Sequence, residues 1–188
     1  MLKTLYSIIS ELGREKIQRD ITLNREKSKQ YIQTMLARCL RIPNFTTTET
    51  TGILCEALLH FMLTATTIPS VRKVSFDGIK LDIVIPNIHT LRNYPDKALV
   101  IQIVKEDERI SKEEHISKEE QKKIKNIQPN LDNMWVVSKE PFPGDYINYT
   151  VDMEYDMHAS TRRRFDDIII DIGSFLEQTG DRSFRFFH

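Results

Sequence analysis

Several groups of side chains in this sequence have the types and spacing that chemistry needs. Glu56 and His60 interrupt the apolar run Ile53-Leu54-Cys55-Glu56-Ala57-Leu58-Leu59-His60-Phe61-Met62-Leu63. One helical turn apart, a carboxylate and an imidazole can pair, ligate a metal or satisfy each other inside a core, and the core pair is the plainer reading. Asp152, Glu154, Asp156 and His158 alternate with apolar residues, so oxygen donors and an imidazole would line one strand face and could hold a divalent ion. Strand neighbours at i and i+2 sit ~7 Å apart, which is wide for a compact site, so a solvated acidic face is expected there. Arg162-Arg163-Arg164 stands just before an apolar helical stripe. Cations in the first turn of a helix oppose its macrodipole, so something anionic should answer them, either an internal carboxylate or the phosphate or carboxylate of a partner.

The elements that must position these groups follow from hydrophobic periodicity. Leu2, Leu5, Ile9 and Leu12 form one amphipathic helix, and Tyr31, Met35, Leu36, Cys39 and Leu40 form a second after a polar stretch. Residues 1–45 hold nine Lys or Arg against four Asp or Glu, a locally basic helical arm. Thr46-Thr47-Thr48-Glu49 has capping-box spacing and starts a third helix, whose apolar character all round demands burial on more than one side. After Ile68-Pro69 the period becomes two. Val71 to Phe76 and Ile79 to Ile85 flank Asp77-Gly78, which supplies the positive φ angles of a tight hairpin. Pairing Phe76 with Ile79 sets Val74 against Leu81, Lys73 against Asp82 and Val71 against Val84, with Phe76, Val74, Ile79, Leu81, Ile83 and Ile85 on one apolar face. An ion pair between Lys73 and Asp82 would explain that acid simply.

Residues 86–97 read as a loop, and Ala98 to Val104 as a central strand apolar on both faces, with Gln102 its single polar residue and Lys105 at its exit. Such an amide is expected to be a core group with satisfied hydrogen bonds. Residues 106–126 read as a charged helix lying on the sheet, Met134 to Val137 as a fourth strand and Val151 to His158 as a half-buried strand. A helix with Phe165, Ile168, Ile169, Ile172, Phe175 and Leu176 on one stripe follows, closed by Gly180 and trailed by an aromatic tail over 183–188. The whole predicts an α/β fold, a mixed sheet of four to five strands flanked by helices, in one domain over 1–188. Within it, 1–45 is the basic arm, 46–140 the core, and 145–188 a C-terminal strand, helix and tail.

Composition limits the function. With 188 residues, 40% hydrophobic and 29% charged, the chain is of globular type, and 27 basic against 27 acidic residues give a net charge of +0. It therefore lacks the bulk positive field of a nonspecific nucleic-acid coat, and any such site must be a local patch. No stretch approaches the ~18 apolar residues of a membrane span, and the N-terminus lacks a signal-peptide pattern, so a cytoplasmic protein with no membrane partner is expected. Cys39 and Cys55 sit in apolar helical contexts and read as small buried thiols. Lys, Glu and Ile enrichment is of the kind met in proteins from hot environments. Phosphate loops, Cys-x-x-Cys pairs, nucleophile elbows and His-Glu-x-x-His are missing from the sequence.

The order helix, strand, strand, strand, helix, strand over about residues 46–138 resembles the core of the PD-(D/E)XK, or restriction-endonuclease-like, superfamily. That resemblance implies a site with an acid on the second strand, matched by Asp82, and an acid-x-lysine on the third. Glu56 matches an acid that some relatives carry on the preceding helix. It also implies Mg²⁺ held by the carboxylates, here Asp82 and Glu56, with a lysine that positions the attacking water. The third strand departs from the pattern, because Ile103 stands two before Lys105, and Gln102 is followed at that offset by Val104. Gln102 and Lys105, three apart, should point to opposite faces unless a bulge intervenes.

The expectation is a nuclease-like core with a degenerate site (Asp82, Gln102, Lys105 and Glu56), retained for nucleic-acid binding or assembly. Lys73, Lys80, Arg162, Arg163 and Arg164 would contact phosphates alongside the basic arm. An active Mg²⁺-dependent nuclease using the same four residues is one alternative. The other is a homo-oligomeric module, such as a homodimer, that buries its amphipathic N-terminal helices and aromatic tail against a second copy.

Overall fold

The computed structural model describes residues 2–42, 47–105, 126–142, 146–151 and 162–180. The charged helix expected over 106–126 falls almost wholly outside the described residues. So do the acidic ladder Asp152 to His158 and the aromatic tail. Among the described residues the fold is α/β, with six helices and one six-stranded mixed sheet, one or two strands more than the periodicity implied.

Three helices, not two, precede the long central one: α1 (Leu2–Leu12), α2 (Arg14–Leu23) and α3 (Lys27–Leu40). The polar stretch after α1 is itself α2, because Ile17 and Ile21, one turn apart, suffice to bury a narrow stripe; both are 0% exposed. Gly13 at φ +84 makes the corner between α1 and α2, a backbone conformation that costs glycine little. Helix α4 (Thr48–Ala65) starts at Thr47, whose hydroxyl accepts the Thr50 N–H. It packs against α1 and α2 on one side and against the third and fourth strands on the other, which accounts for its apolar surface all round.

The strands are β1 (Val71–Phe76), β2 (Ile79–Ile85), β3 (Leu99–Ile103), β4 (Met134–Ser138), β5 (Ile147–Thr150) and β6 (Arg162–Arg164), lying side by side in chain order. The first three are antiparallel and the rest parallel. The hairpin forms at Asp77-Gly78, both at positive φ, in the register expected from Phe76 and Ile79. Its apolar face is not continuous, however. Ile83 and Ile85 join the main core with the helices, whereas Phe76 and Leu81 join Val84 in a second core on the opposite face. The change comes at the Lys73 and Asp82 position, where the ladder is interrupted and Lys73 adopts φ +51. An irregularity of this kind re-aims the side chains around it.

Residues expected as a loop hold a short helix, α5 (Ile88–Asn93), capped by Asn87, whose side chain accepts the Thr90 N–H at 2.9 Å. Leu91 carries it onto the second core. Asn148, which begins a glycosylation sequon, is buried in β5 and donates to Val136 O and Ser138 Oγ. Cys39 and Cys55 are free, buried thiols on α3 and α4. No helix among the described residues is long and apolar enough to cross a membrane.

The arginine triplet is not the first turn of a helix. It forms β6, paired with Asn148, Tyr149 and Thr150 of β5, and helix α6 (Ile168–Gln178) begins only after a short 3-10 turn. The conflict with a helix dipole therefore does not arise. Arg163 and Arg164 meet acids of the same chain. Arg163 donates to Asp171 Oδ2 at 2.9 Å, beside the Tyr149 hydroxyl on the same oxygen at 2.7 Å. Arg164 grips Asp166 through Nε at 3.1 Å and Nη2 at 2.8 Å. Asp166 is 2% exposed and also accepts Gln33 of α3, while Lys29 pairs with Asp167 and Arg25 with Glu177. These contacts clamp α3 and the turn before it onto the 3-10 turn and α6. Most of the apolar faces of α1 to α3 pack into the chain's own core, while Leu2, Tyr6 and Leu23 stay exposed.

Burial pushes the Asp166 carboxyl up, but the hydrogen bonds from Arg164 and Gln33 outweigh it and hold it below its ordinary value. A depressed carboxyl stabilises the fold fully above its unfolded value, near ~4, and loses that contribution as pH falls through the folded value. Asp166→Ala is expected to destabilise the protein by about 1–3 kcal/mol, since it leaves Gln33 and Arg164 without their acceptor. Urea titrations at pH 7 and pH 3 should show the full loss at neutral pH and a smaller one in acid.

Candidate functional site

The site grows from the place where β2 and β3 stop pairing. Their ladder runs through Ile85↔Leu99, Val84↔Val100 and Ile83↔Ile101. At the next position side chains replace it. The Gln102 carboxamide accepts the Asp82 N–H at 2.9 Å and donates to Lys80 O at 3.0 Å, acting as an inserted peptide group between the strands. Asp82 answers across the same gap, its Oδ2 accepting the Ile103 N–H at 2.8 Å. Gln102 is thus a satisfied amide, as expected of a lone polar residue in an apolar strand.

Asp82 Oδ1 accepts Lys105 Nζ at 2.7 Å. Gln102 and Lys105 reach the same acid without lying on one strand face. Gln102 works in the plane of the sheet, and Lys105 lies beyond the end of β3, where strand alternation no longer binds it. The same ammonium stands 3.1 Å from Glu56 Oε2, and Glu56 Oε1 stands 3.1 Å from Lys73 Nζ. The expected cross-strand pair of Lys73 with Asp82 is replaced by these contacts. The left-handed backbone at Lys73 aims its side chain at α4, and Asp82 turns to Lys105. The expected Glu56 and His60 pair is likewise replaced, with Glu56 buried between two lysines and His60 exposed.

Glu56, Asp82, Gln102 and Lys105 therefore converge, and Lys73 joins them. Gly52, one turn before Glu56 on α4, permits it. A Cβ there would lie 2.3 Å from Val104 O and 3.1 Å from Lys105 Cα. The signal for this in sequence was a glycine inside an apolar helix, which usually has a packing reason.

Two carboxylates and two ammonium groups cancel in charge. Burial pushes the Glu56 carboxyl up, yet the hydrogen bonds from Lys73 and Lys105 outweigh it and hold it below its ordinary value. Burial opposes the charge on Lys105 as well, and its bonds to Asp82 and Glu56 more than offset this, so its pKa stands above the usual lysine value. The donor set does not fit the Mg²⁺ implied by the sequence resemblance. Lys105 holds the space between Asp82 and Glu56, Asp82 Oδ2 is engaged by a backbone N–H, and Gln102 is committed to the backbone on both sides. Among the described residues no group of three or more His, Cys, Asp or Glu is placed to hold a metal ion.

The basic residues divide. Lys80 is exposed and the Lys73 side chain is 66% exposed, whereas Arg163 and Arg164 serve the internal pairs described above and Arg162 is half-buried. Beside the network, along the C-terminal half of α4 and the start of β1, an open cleft of about 570 Å³ is lined by His60, Thr64, Thr67, Ser70, Arg72 and Lys73 among others. Sequence reasoning did not single out Arg72, because it lies in an ordinary alternating strand. No family model, curated protein or solved structure matches the chain.

Gly52→Ala should force α4 away from the end of β3 and separate Glu56 from Lys105. Overpacking at such a contact costs about 1–3 kcal/mol. Chemical denaturation should show that loss; an unchanged midpoint would mean that helix and strand can part freely.

Proposed function

We propose that the chain is a nucleic-acid-associated protein built on a restriction-endonuclease-like core whose acid and lysine residues hold the fold together and do not cut. The observation that carries this reading is the Lys105 ammonium between Asp82 and Glu56, with Gln102 bound to backbone on both strands. A nuclease of that kind needs its carboxylates open to a cation and its lysine open to water. In this chain both are committed to each other. The order of α4, the antiparallel β1, β2 and β3, and β4 parallel to β3 supports the kinship. For phosphate contacts the chain offers the basic helices α1 to α3 and the exposed Lys73 and Lys80.

Fluorescence anisotropy with labelled DNA and RNA across a salt series tests the binding. Affinity is expected to fall steeply and linearly on a log–log plot as salt rises, because bound counterions are released. Absence of binding even at low salt would remove nucleic acid from the reading. Incubation of plasmid, single-stranded DNA and RNA with Mg²⁺ or Mn²⁺ is expected to leave them intact. Cleavage abolished by Asp82→Ala would instead establish an active centre.

Gln102→Glu separates a structural amide from a lapsed catalytic acid. A carboxylate cannot donate to Lys80 O and adds charge beside Asp82, so the variant should lose about 1–3 kcal/mol of stability and gain no cleavage. Cleavage in that variant would show that one substitution is all that keeps the centre silent.

A further inference from the structure

The cleft beside the network concentrates positive charge that the fold itself answers only at Lys73. His60 from α4 and Arg72 and Lys73 from β1 line it, together with the hydroxyls of Thr64, Thr67 and Ser70. Among the described residues the Arg72 side chain has no hydrogen bond or ion pair. The Arg14 side chain, at the start of the neighbouring α2, has none either, and its charge bears on the His60 ring. Glu56 is an acid whose charge bears on His60, and Lys73 and Lys105 already take up both its oxygens. Elsewhere in the fold acids answer arginines, as the buried Asp166 does Arg164 and the half-buried Asp171 does Arg163.

We propose that this cleft is a seat for a phosphate group of a nucleic acid, held by Arg72 with His60, while Lys73 supplies charge from its place on Glu56. Arg14 adds to the field from α2. A guanidinium presents paired donors to phosphate oxygens, and an imidazolium with neighbouring hydroxyls completes a donor set around an anion. The seat is open on one side, which suits a group carried on a chain. The inference rests on the nucleic-acid reading for its ligand, but not for its chemistry.

The His60 ring should act as the pH-sensitive part of the seat. Burial and the charge of Arg72 push its pKa down, with Arg14 adding to the effect and Glu56 opposing it. The ring is therefore mainly neutral at pH 7, and a bound phosphate favours the charged form. Affinity should rise as pH falls from about 7 to 5, the range around an ordinary histidine value.

The test uses oligothymidylate without a terminal phosphate, whose phosphodiester charge is constant over that range. Arg72→Gln is expected to weaken its binding about tenfold, the size of one lost charged hydrogen bond. His60→Gln should flatten the rise in affinity towards pH 5, and Lys97→Gln, in the turn after α5, should leave both unchanged. Circular dichroism and thermal midpoints establish that each variant is folded. If Arg72→Gln and His60→Gln bind the oligonucleotide as the wild type does, the seat is overturned while the reading of the scaffold stands. A second arm measures the thermal midpoint with inorganic phosphate against chloride at equal ionic strength. Stabilisation of the wild type and not of Arg72→Gln sustains the seat even if no oligonucleotide binds, in which case the nucleic-acid reading falls alone. No effect of phosphate, together with no oligonucleotide binding, overturns both.

Discussion

The ammonium of Lys105, held between Asp82 and Glu56, is the interaction on which the centre of this fold depends. It joins the end of β3 to β2 on one side and to α4 on the other. Without a cation there, two carboxylates with little access to water would face each other across the gap, an arrangement that folding strongly disfavours. The close approach at Gly52 exists for the same contact, since only a residue without a Cβ lets α4 lie against the Val104 carbonyl. Helix, strand and charge therefore have to be correct together.

The same point explains an unusual stretch of sheet. Between β2 and β3 the backbone ladder ends one residue early, and the Gln102 carboxamide and Asp82 carboxylate complete it. On β1, Lys73 takes a left-handed backbone that costs a lysine about 1–2 kcal/mol, and in doing so delivers its ammonium to Glu56. Paired charges of this kind add little net stability once desolvation is counted, but they penalise every alternative register heavily. Their effect is to specify one arrangement of α4 over the sheet.

Charge is handled differently at the two ends of the molecule. At β6 and α6, basic side chains from α3 and β6 meet acids around the 3-10 turn and on α6, so the first and last parts of the chain are tied by matched pairs. Along the cleft at α4 and β1, Glu56 is already used by two lysines, and the guanidinium of Arg72 is left to the solvent side. A field left unanswered in a concave surface is where an anion gains most.

Much of this architecture could be read from residue order. The Asp77-Gly78 hairpin and its register, the central strand around Val100, the buried helix α4 and the two quiet cysteines all follow from local rules, because turn chemistry and apolar period act over a few neighbouring residues. The meeting of Asp82 with Lys105 lies beyond any such local rule, since the two stand 23 residues apart. The additional helix α2 was hidden because two isoleucines make too thin a stripe to stand out among charges, and the arginine strand because three cations resemble no strand pattern until β5 lies beside them. Which partner each charge takes was decided only in three dimensions. Lys73 had Asp82 opposite it by register and found Glu56 instead, since the choice depends on a broken ladder and on the height of α4 above the sheet, quantities that arise from packing between distant segments and leave no periodic trace in the chain.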